Sequence, residues 1–262
     1  MELRIQALKV LCMAEPAVKA HEARALLQAV REGRVALDTE AVLVPDAAVP
    51  GRPDRPRLVA PEQVPRRTPF TPEGRAALLH AVCHIEFNAI NLALDAAWRF
   101  SGMPERFYLD WLQVAGEEAL HFTLLREHLK TLGHDYGDFE AHDGLWTMAE
   151  KTRDDITARM ALVPRTLEAR GLDATPPMQA KLRKAGDLRA VEILDVILRD
   201  EIGHVAIGNH WYRWLCERNG LDPLAAYAAF AERHGAPRMK GPFNLEARRA
   251  AGFAAEEIER LR

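Results

Sequence analysis

Cysteine is scarce in this chain: Cys12, Cys83 and Cys216 are the only three in 262 residues. They share no metal-type spacing, and an odd number builds no complete disulfide framework. Both points exclude a Cys-rich zinc module and fit a reducing compartment. Long apolar runs are missing too, since none approaches the roughly 18 residues a membrane-spanning helix requires. The opening stretch Met1-Glu2-Leu3-Arg4-Ile5-Gln6-Ala7-Leu8-Lys9 is interrupted by charge too early for a secretory signal. Net charge is only −3, so no global field draws the chain toward nucleic acid or an anionic membrane. What remains is ordinary, with 48% apolar and 28% charged residues. That is the composition of a soluble globular protein, long enough to fold without staples. The expectation is a soluble, cytoplasmic protein.

Along the chain, residues 1 to about 33 read as two helical pieces. Leu3, Ala7, Leu8 and Leu11 keep a helical period, Pro16 starts the second piece, and Leu26, Leu27 and Val30 carry it to Gly33. From Pro45 to Pro72 the character changes: eight of the 16 prolines fall in these 28 residues. Arg52, Arg55, Arg57, Arg66 and Arg67 outnumber Asp46, Asp54 and Glu62 there. Proline at that density excludes helix and central strand and leaves an extended path. An ordered strap, its arginines paired with surface acids, is favoured over an arm that contacts anions or RNA.

Residues 71–220 read as four helices, with 1–70 as hairpin and strap and 221–262 as a helical tail. The first starts at Thr71, a cap, with Pro72 at the first helical position, and runs to Ser101-Gly102. Val82, Ile90 and Ala93 lie near the azimuth of Glu86, where an ionised carboxylate is expensive unless paired or metal-bound. His80 and His84 point off that face and are expected at the surface or as outer contacts. The second helix follows Gly102-Met103-Pro104 and reaches about Gly133, with Phe107, Trp111, Glu118, His121 and Leu125 on one face. Glu86 lies 15 positions before Ser101 and Glu118 14 after Pro104, so an antiparallel hairpin brings both to one height. The third is expected from near Asp143 to Gly171, kinked at Pro164 and ended by Gly171 and Pro176-Pro177, with 178–185 a separate short piece. The fourth is capped by Asp187 and carries Leu194, Ile197, Glu201, His204, Gly208 and Trp211 on one face. A helix over 223–233, a loop over 237–244 and a short helix from Leu245 complete the chain.

The chemistry sits in Glu118-Ala119-Leu120-His121 and its echo Glu201-Ile202-Gly203-His204. Residues three apart on a helix share a face, so each pair points a carboxylate and an imidazole the same way. One such tetrapeptide means little among ten histidines, but the context repeats: Glu86 lies 32 residues before Glu118 and Glu168 lies 33 before Glu201. Two isolated Glu and two Glu-x-x-His form the ligand pattern of dinuclear carboxylate proteins on ferritin-like four-helix bundles. Glu168 sits between Pro164 and the expected break, so Glu150 or Asp154 are its substitutes. The same break suggests an opening to the site lined by Pro164, Glu168 and 171–178. Four carboxylates and two imidazoles suit two Fe ions, with Mn as the alternative. Structural zinc prefers four Cys- and His-rich ligands.

Several further stretches carry a family resemblance: Pro50-Gly51-Arg52-Pro53, Val64-Pro65-Arg66-Arg67, His84-Ile85-Glu86, Glu118-x-x-His121, Leu167-Glu168-Ala169-Arg170-Gly171-Leu172-Asp173, Arg199-Asp200-Glu201-Ile202-x-His204-Val205 and Lys240-Gly241-Pro242-Phe243-Asn244. Over most of its length the chain resembles a ferritin-like bacterial family known only as a domain of unknown function. Cys83 stands where that family is expected to carry alanine. The resemblance implies an all-α, ferritin-like bundle with Glu86, Glu118, His121, Glu168, Glu201 and His204 at metal positions. It implies no substrate. An O2-dependent di-iron oxidase or hydroxylase acting on a small molecule is the leading expectation. An iron-binding ferroxidase without organic substrate, an RNA-directed hydroxylase resembling ferritin-like tRNA hydroxylases, and a partner-binding bundle without redox work are the alternatives. Nucleic acid is the less favoured partner and no membrane is expected. The oligomeric state is open, a homodimer being one option.

Overall fold

In the computed structural model, which describes residues 1–261, every regular element is helical apart from isolated bridges at Glu2–Ala36 and Leu58–Ala141. The chain divides into two compact units, Met1–Asp143 and Gly144–Arg262.

The first unit opens with α1 (Leu3–Leu11) and α2 (Pro16–Arg31). Glu15 caps α2 by accepting from the Val18 amide, with Pro16 in the first turn, and Gly33 closes it at φ +69°. α3 (Pro72–Arg99) starts as its sequence dictates, with the Thr71 hydroxyl accepting from the Gly74 amide. α4 (Glu105–Thr131) returns beside it. The turn between them is fixed by Tyr108, whose hydroxyl donates to the Phe100 carbonyl at 2.8 Å and accepts from the Met103 amide at 3.2 Å. By length and composition α3 could cross a bilayer, yet 78% of its most apolar window is buried inside the protein. α2 lies on α4 so closely that a Cβ at Gly116 would stand 2.4 Å from Leu27 Cδ2.

The proline-rich stretch is ordered, with one 3-10 turn at Pro61–Gln63. Its backbone is tied at both ends: the Gly51 amide donates to the Leu11 carbonyl, and Val59 and Arg57 exchange bonds with Ala141. Arg52 pairs with Asp143 at 2.6 Å, Arg57 with Glu140, and Arg67 with Glu73 at 3.3 Å. Arginine pairing with nearby acids is what the sequence suggested for a strap.

Lys19 is the unexpected anchor. Its ammonium is fully buried, donating to the Gly51 carbonyl at 2.8 Å and Asn91 Oδ1 at 2.6 Å, 5.0 Å from the centre of the Phe87 ring. Burial, with Arg52 nearby, lowers its pKa from 10.5 to about 7. A neutral amine keeps two N–H donors, enough for both acceptors, so losing the proton need not break either bond. Between pH 7 and 10.5 the unfolded chain holds a proton that the folded one lacks, so stability rises with pH there. Cys12, its thiol pushed above 9.0 by burial and Asp46, opposes this only at higher pH. Urea unfolding at pH 7.5 and 8.5, above the range where His80 and His84 take up protons on unfolding, should therefore show a gain of at most about 1.4 kcal/mol per pH unit. Lys19→Met should flatten that gain; an unchanged slope would show that Lys19 titrates normally.

The second unit corrects the expected third helix. It comes in pieces: α5 (Gly144–Lys151), α6 (Ile156–Leu162), a π-helix (Val163–Glu168) and α7 (Ala169–Lys184). Asp155 causes the first break, leaving the helical path to cap α6 through the Ala158 amide at 2.9 Å. Pro164 gives a widened π turn rather than a simple kink, and Thr166 Oγ1 donates five residues back to the Ala161 carbonyl at 2.7 Å. Neither Gly171 nor Pro176-Pro177 ends the helix, and 178–185 is no separate piece; α7 runs through all of them.

The reason lies 72 residues downstream of Leu172. Pro176 offers no N–H to the Leu172 carbonyl, and the Asn244 side-chain amide donates there instead, at 3.2 Å. The Asn244 backbone amide donates to Asp173 Oδ1 at 2.8 Å, and Arg248 forks onto the same carboxylate at 3.1 and 2.6 Å. Asn244 Oδ1 also caps α10 (Leu245–Ala250) through the Ala247 amide. Two of the sequence stretches singled out above, 167–173 and 240–244, are thus one docking pair. α8 (Leu188–Arg218) begins at the Asp187 cap, and α9 (Pro223–His234) and α11 (Ala255–Glu259) finish the unit.

Candidate metal centre

In the first unit, the helical period places Val82, Glu86, Ile90 and Ala93 of α3, and Phe107, Trp111, Glu118, His121 and Leu125 of α4, in buried positions. Hairpin geometry then sets the height. Nδ1 of His121 lies 3.2 Å from Oε2 of Glu86 and 3.2 Å from Oε2 of Glu118. All three side chains are buried, and one ligand atom from each falls within 4.8 Å of the others. Glu117, the neighbouring acid, faces elsewhere and accepts from Gln113 Nε2 at 3.1 Å.

The electrostatics of this group favour a cation. Burial, and then the Glu118 carboxylate beside it, push Glu86 well above the usual carboxylate range, while the His121 contact works the other way. Buried carboxylates that close must bind protons or a cation to avoid a large desolvation penalty. Carboxylate oxygens with an imidazole form a donor set that could hold a metal ion.

In the second unit, α8 buries Glu201 and His204, with His204 Nδ1 3.2 Å from Glu201 Oε2. Two glycines fix the register of the facing helix. A Cβ at Gly208 would stand 2.6 Å from Pro164 Cβ, and one at Gly171 would stand 3.3 Å from Glu201 Oε1. Glu168 lies between Pro164 and Gly171, as His204 lies between Glu201 and Gly208. An antiparallel register therefore sets Glu168, half-buried at the end of the π-helix, level with Glu201 and His204. The substitutes do not compete: Glu150 is exposed and accepts from Trp146 Nε1, and Asp154 is exposed beside Arg153.

Two sequence expectations need correction. His80 and His84, expected at the surface or as outer contacts, are both buried. His80 Nε2 accepts from the Gly137 amide at 2.9 Å, and His84 Nδ1 meets the Tyr136 hydroxyl at 2.9 Å. Burial lowers their pKa values to about 4 and about 3, so both are neutral and hold the 134–142 loop. The opening expected beside a broken third helix loses its basis, because 171–178 is continuous helix. Sequence reasoning also missed the Asn244–Asp173–Arg248 group. A Pro-Pro pair inside an otherwise helical period was the available signal, since it requires donors from elsewhere.

An all-helical protein with buried carboxylate–imidazole groups able to hold a metal ion is the class that fold and site define. The chain belongs to the family described as "Protein of unknown function (DUF455)", whose model matches residues 12–259. It is also similar to an uncharacterized protein of Haemophilus influenzae, 54% identical over 224 residues, covering 83% of this chain and 78% of that one. No solved structure matches the chain.

Proposed function

We propose that this is a dinuclear metal-carboxylate protein built as a ferritin-like four-helix bundle, with iron as the metal. Its ligands are Glu86, Glu118, His121, Glu168, Glu201 and His204, and its activity is an O2-dependent oxidation or hydroxylation of an organic substrate. The observation that carries this reading is the buried Glu86–Glu118–His121 group, whose spacing recurs in Glu168, Glu201 and His204. Two iron ions would supply the electrons that reduce O2. The chain's own part is to hold four carboxylates and two imidazoles in fixed positions, to neutralise the ions' charge and to keep water from the site. Glu86 and Glu118 sit mid-helix, each with a continuous backbone ladder on both sides, and so present rigid oxygens.

RNA as substrate is less favoured, because Arg52, Arg57 and Arg67 of the strap are engaged by Asp143, Glu140 and Glu73. The three free thiols fit a reducing, cytoplasmic setting.

The test is metal analysis of protein purified from iron-supplemented cells, followed by O2 uptake. Two irons per chain and O2 uptake that accelerates with an organic co-substrate are expected. Iron oxidation with no co-substrate effect would favour the ferroxidase reading. Protein with no bound iron or manganese would sink both.

A further inference from the structure

The π turn carries more than Glu168. Arg165, on the same turn, is buried and points into the second unit. Its Nε donates to Asn209 Oδ1 at 2.8 Å, and its Nη2 pairs with Glu257 of α11. Its guanidinium lies 4.7, 5.3 and 5.2 Å from the ring centres of Tyr212, Tyr227 and Phe253. The flanking residues are held as well. Pro164 rests on Gly208, and the Thr166 hydroxyl is 3.1 Å from that of Tyr227. Asn209 Nδ2 donates to the Ala251 carbonyl at 2.8 Å, which ties α8 to the C-terminal segment.

Residues 164, 165 and 166 each therefore meet a partner outside their own turn. Such support is what a π turn needs, because it is intrinsically less favourable than α geometry. A turn that tightened back to α would rotate the residues beyond it by about 100° per residue absorbed. Glu168, at the end of the turn, would then face another direction.

We infer that Arg165, Asn209 and Glu257 are positioning residues for Glu168: the C-terminal segment holds the π turn open and thereby sets where that carboxylate points. The functional meaning rests on the dinuclear reading above. The structural claim stands on the contacts just described. It assigns a task to the C-terminal helices that neither the ligand pattern nor the family description provides, namely to complete the second half-site from outside it.

The experiment uses the full-length metal-free protein, with Glu257→Gln as the variant and Leu182→Ala, a buried α7 core truncation, as a control for general destabilisation. Amide hydrogen exchange over 163–172 and Mn(II) titration are the two readouts. Exchange in that segment should accelerate at least about tenfold in Glu257→Gln, more than elsewhere in the unit. One Mn(II) equivalent should weaken by about 10–100-fold, the range seen for outer-shell partners of metal ligands, while the other holds. Leu182→Ala should lower the melting temperature without splitting the two equivalents. If Glu257→Gln does not fold, Arg165→Lys is read in the same way, since it keeps the charge and loses the fork. Unchanged exchange over 163–172 would overturn the clamp, and wild-type affinity at both equivalents despite faster exchange would overturn the positioning role. Wild-type protein that binds neither Mn(II) nor Fe(II) would sink the dinuclear reading instead, leaving exchange to decide the clamp alone.

Discussion

On the dinuclear-iron proposal, Fe(II) should raise the melting temperature of the wild type, and a His121→Ala protein is expected to lose most of that rise. A ligand that binds only the folded state stabilises by mass action, about 2.7 kcal/mol at a hundredfold excess over Kd. For a chain of this size each kcal/mol moves the midpoint by about 2–4 °C, so the wild-type shift should be several degrees. His121 touches both Glu86 and Glu118, at 3.2 Å each. Its loss removes an imidazole ligand atom and also the contact that opposes the upward push on Glu86. The metal-free variant should therefore melt lower too, and added Fe(II) should recover little of the difference. His204→Ala should act alike through Glu201, from which it is 3.2 Å. A variant that keeps wild-type iron content and the full thermal shift would show that its histidine is not a ligand.

Arg248→Ala is expected to be the most damaging substitution away from the candidate centre. Arg248 is 1% exposed, forks onto the Asp173 carboxylate and lies 5.2 and 5.1 Å from the ring centres of Phe243 and Phe253. Removing one partner of a buried ion pair leaves the other uncompensated, at a cost of about 3–5 kcal/mol. Asp173 would keep the Asn244 amide as a donor, which places the loss toward the lower end. The damage should concentrate where α7 depends on outside donors. Hydrogen exchange over 169–178 should rise with the loss of stability, and Arg248→Lys should restore only part, since an ammonium cannot reproduce the fork. A melting temperature within a degree of wild type would show that the 240–248 segment does not support α7.

Local signals were legible because each acts within about a turn of its own position. Thr71 and Asp187 cap α3 and α8 where the sequence placed them, and Pro16 and Pro72 open their helices. Hairpin arithmetic from Gly102 and the helical rise anticipated one height for Glu86 and Glu118, and the paired contacts to His121 match it. The strap was readable from proline density alone, because proline excludes its alternatives whatever surrounds it.

What the sequence misread depended on partners far along the chain. His80 and His84 lie off the face of Glu86, yet the 134–142 loop folds back and buries them against Tyr136 and Phe139. The π turn at 163–168 requires the glycine at 208, the rings of Tyr212 and Tyr227, and Glu257 from the last helix. Pro176-Pro177 denies α7 two backbone donors, and by local rules that ends a helix. The orphaned Leu172 carbonyl is instead satisfied from Asn244, 72 positions away. By itself the sequence determined the helical content, the caps and the repeated Glu-x-x-His spacing, all functions of residue type and neighbours. Only the tertiary structure decided how the helix bearing Glu168 runs, because a backbone group that has lost its local donor is free to take any donor the fold brings within about 3 Å.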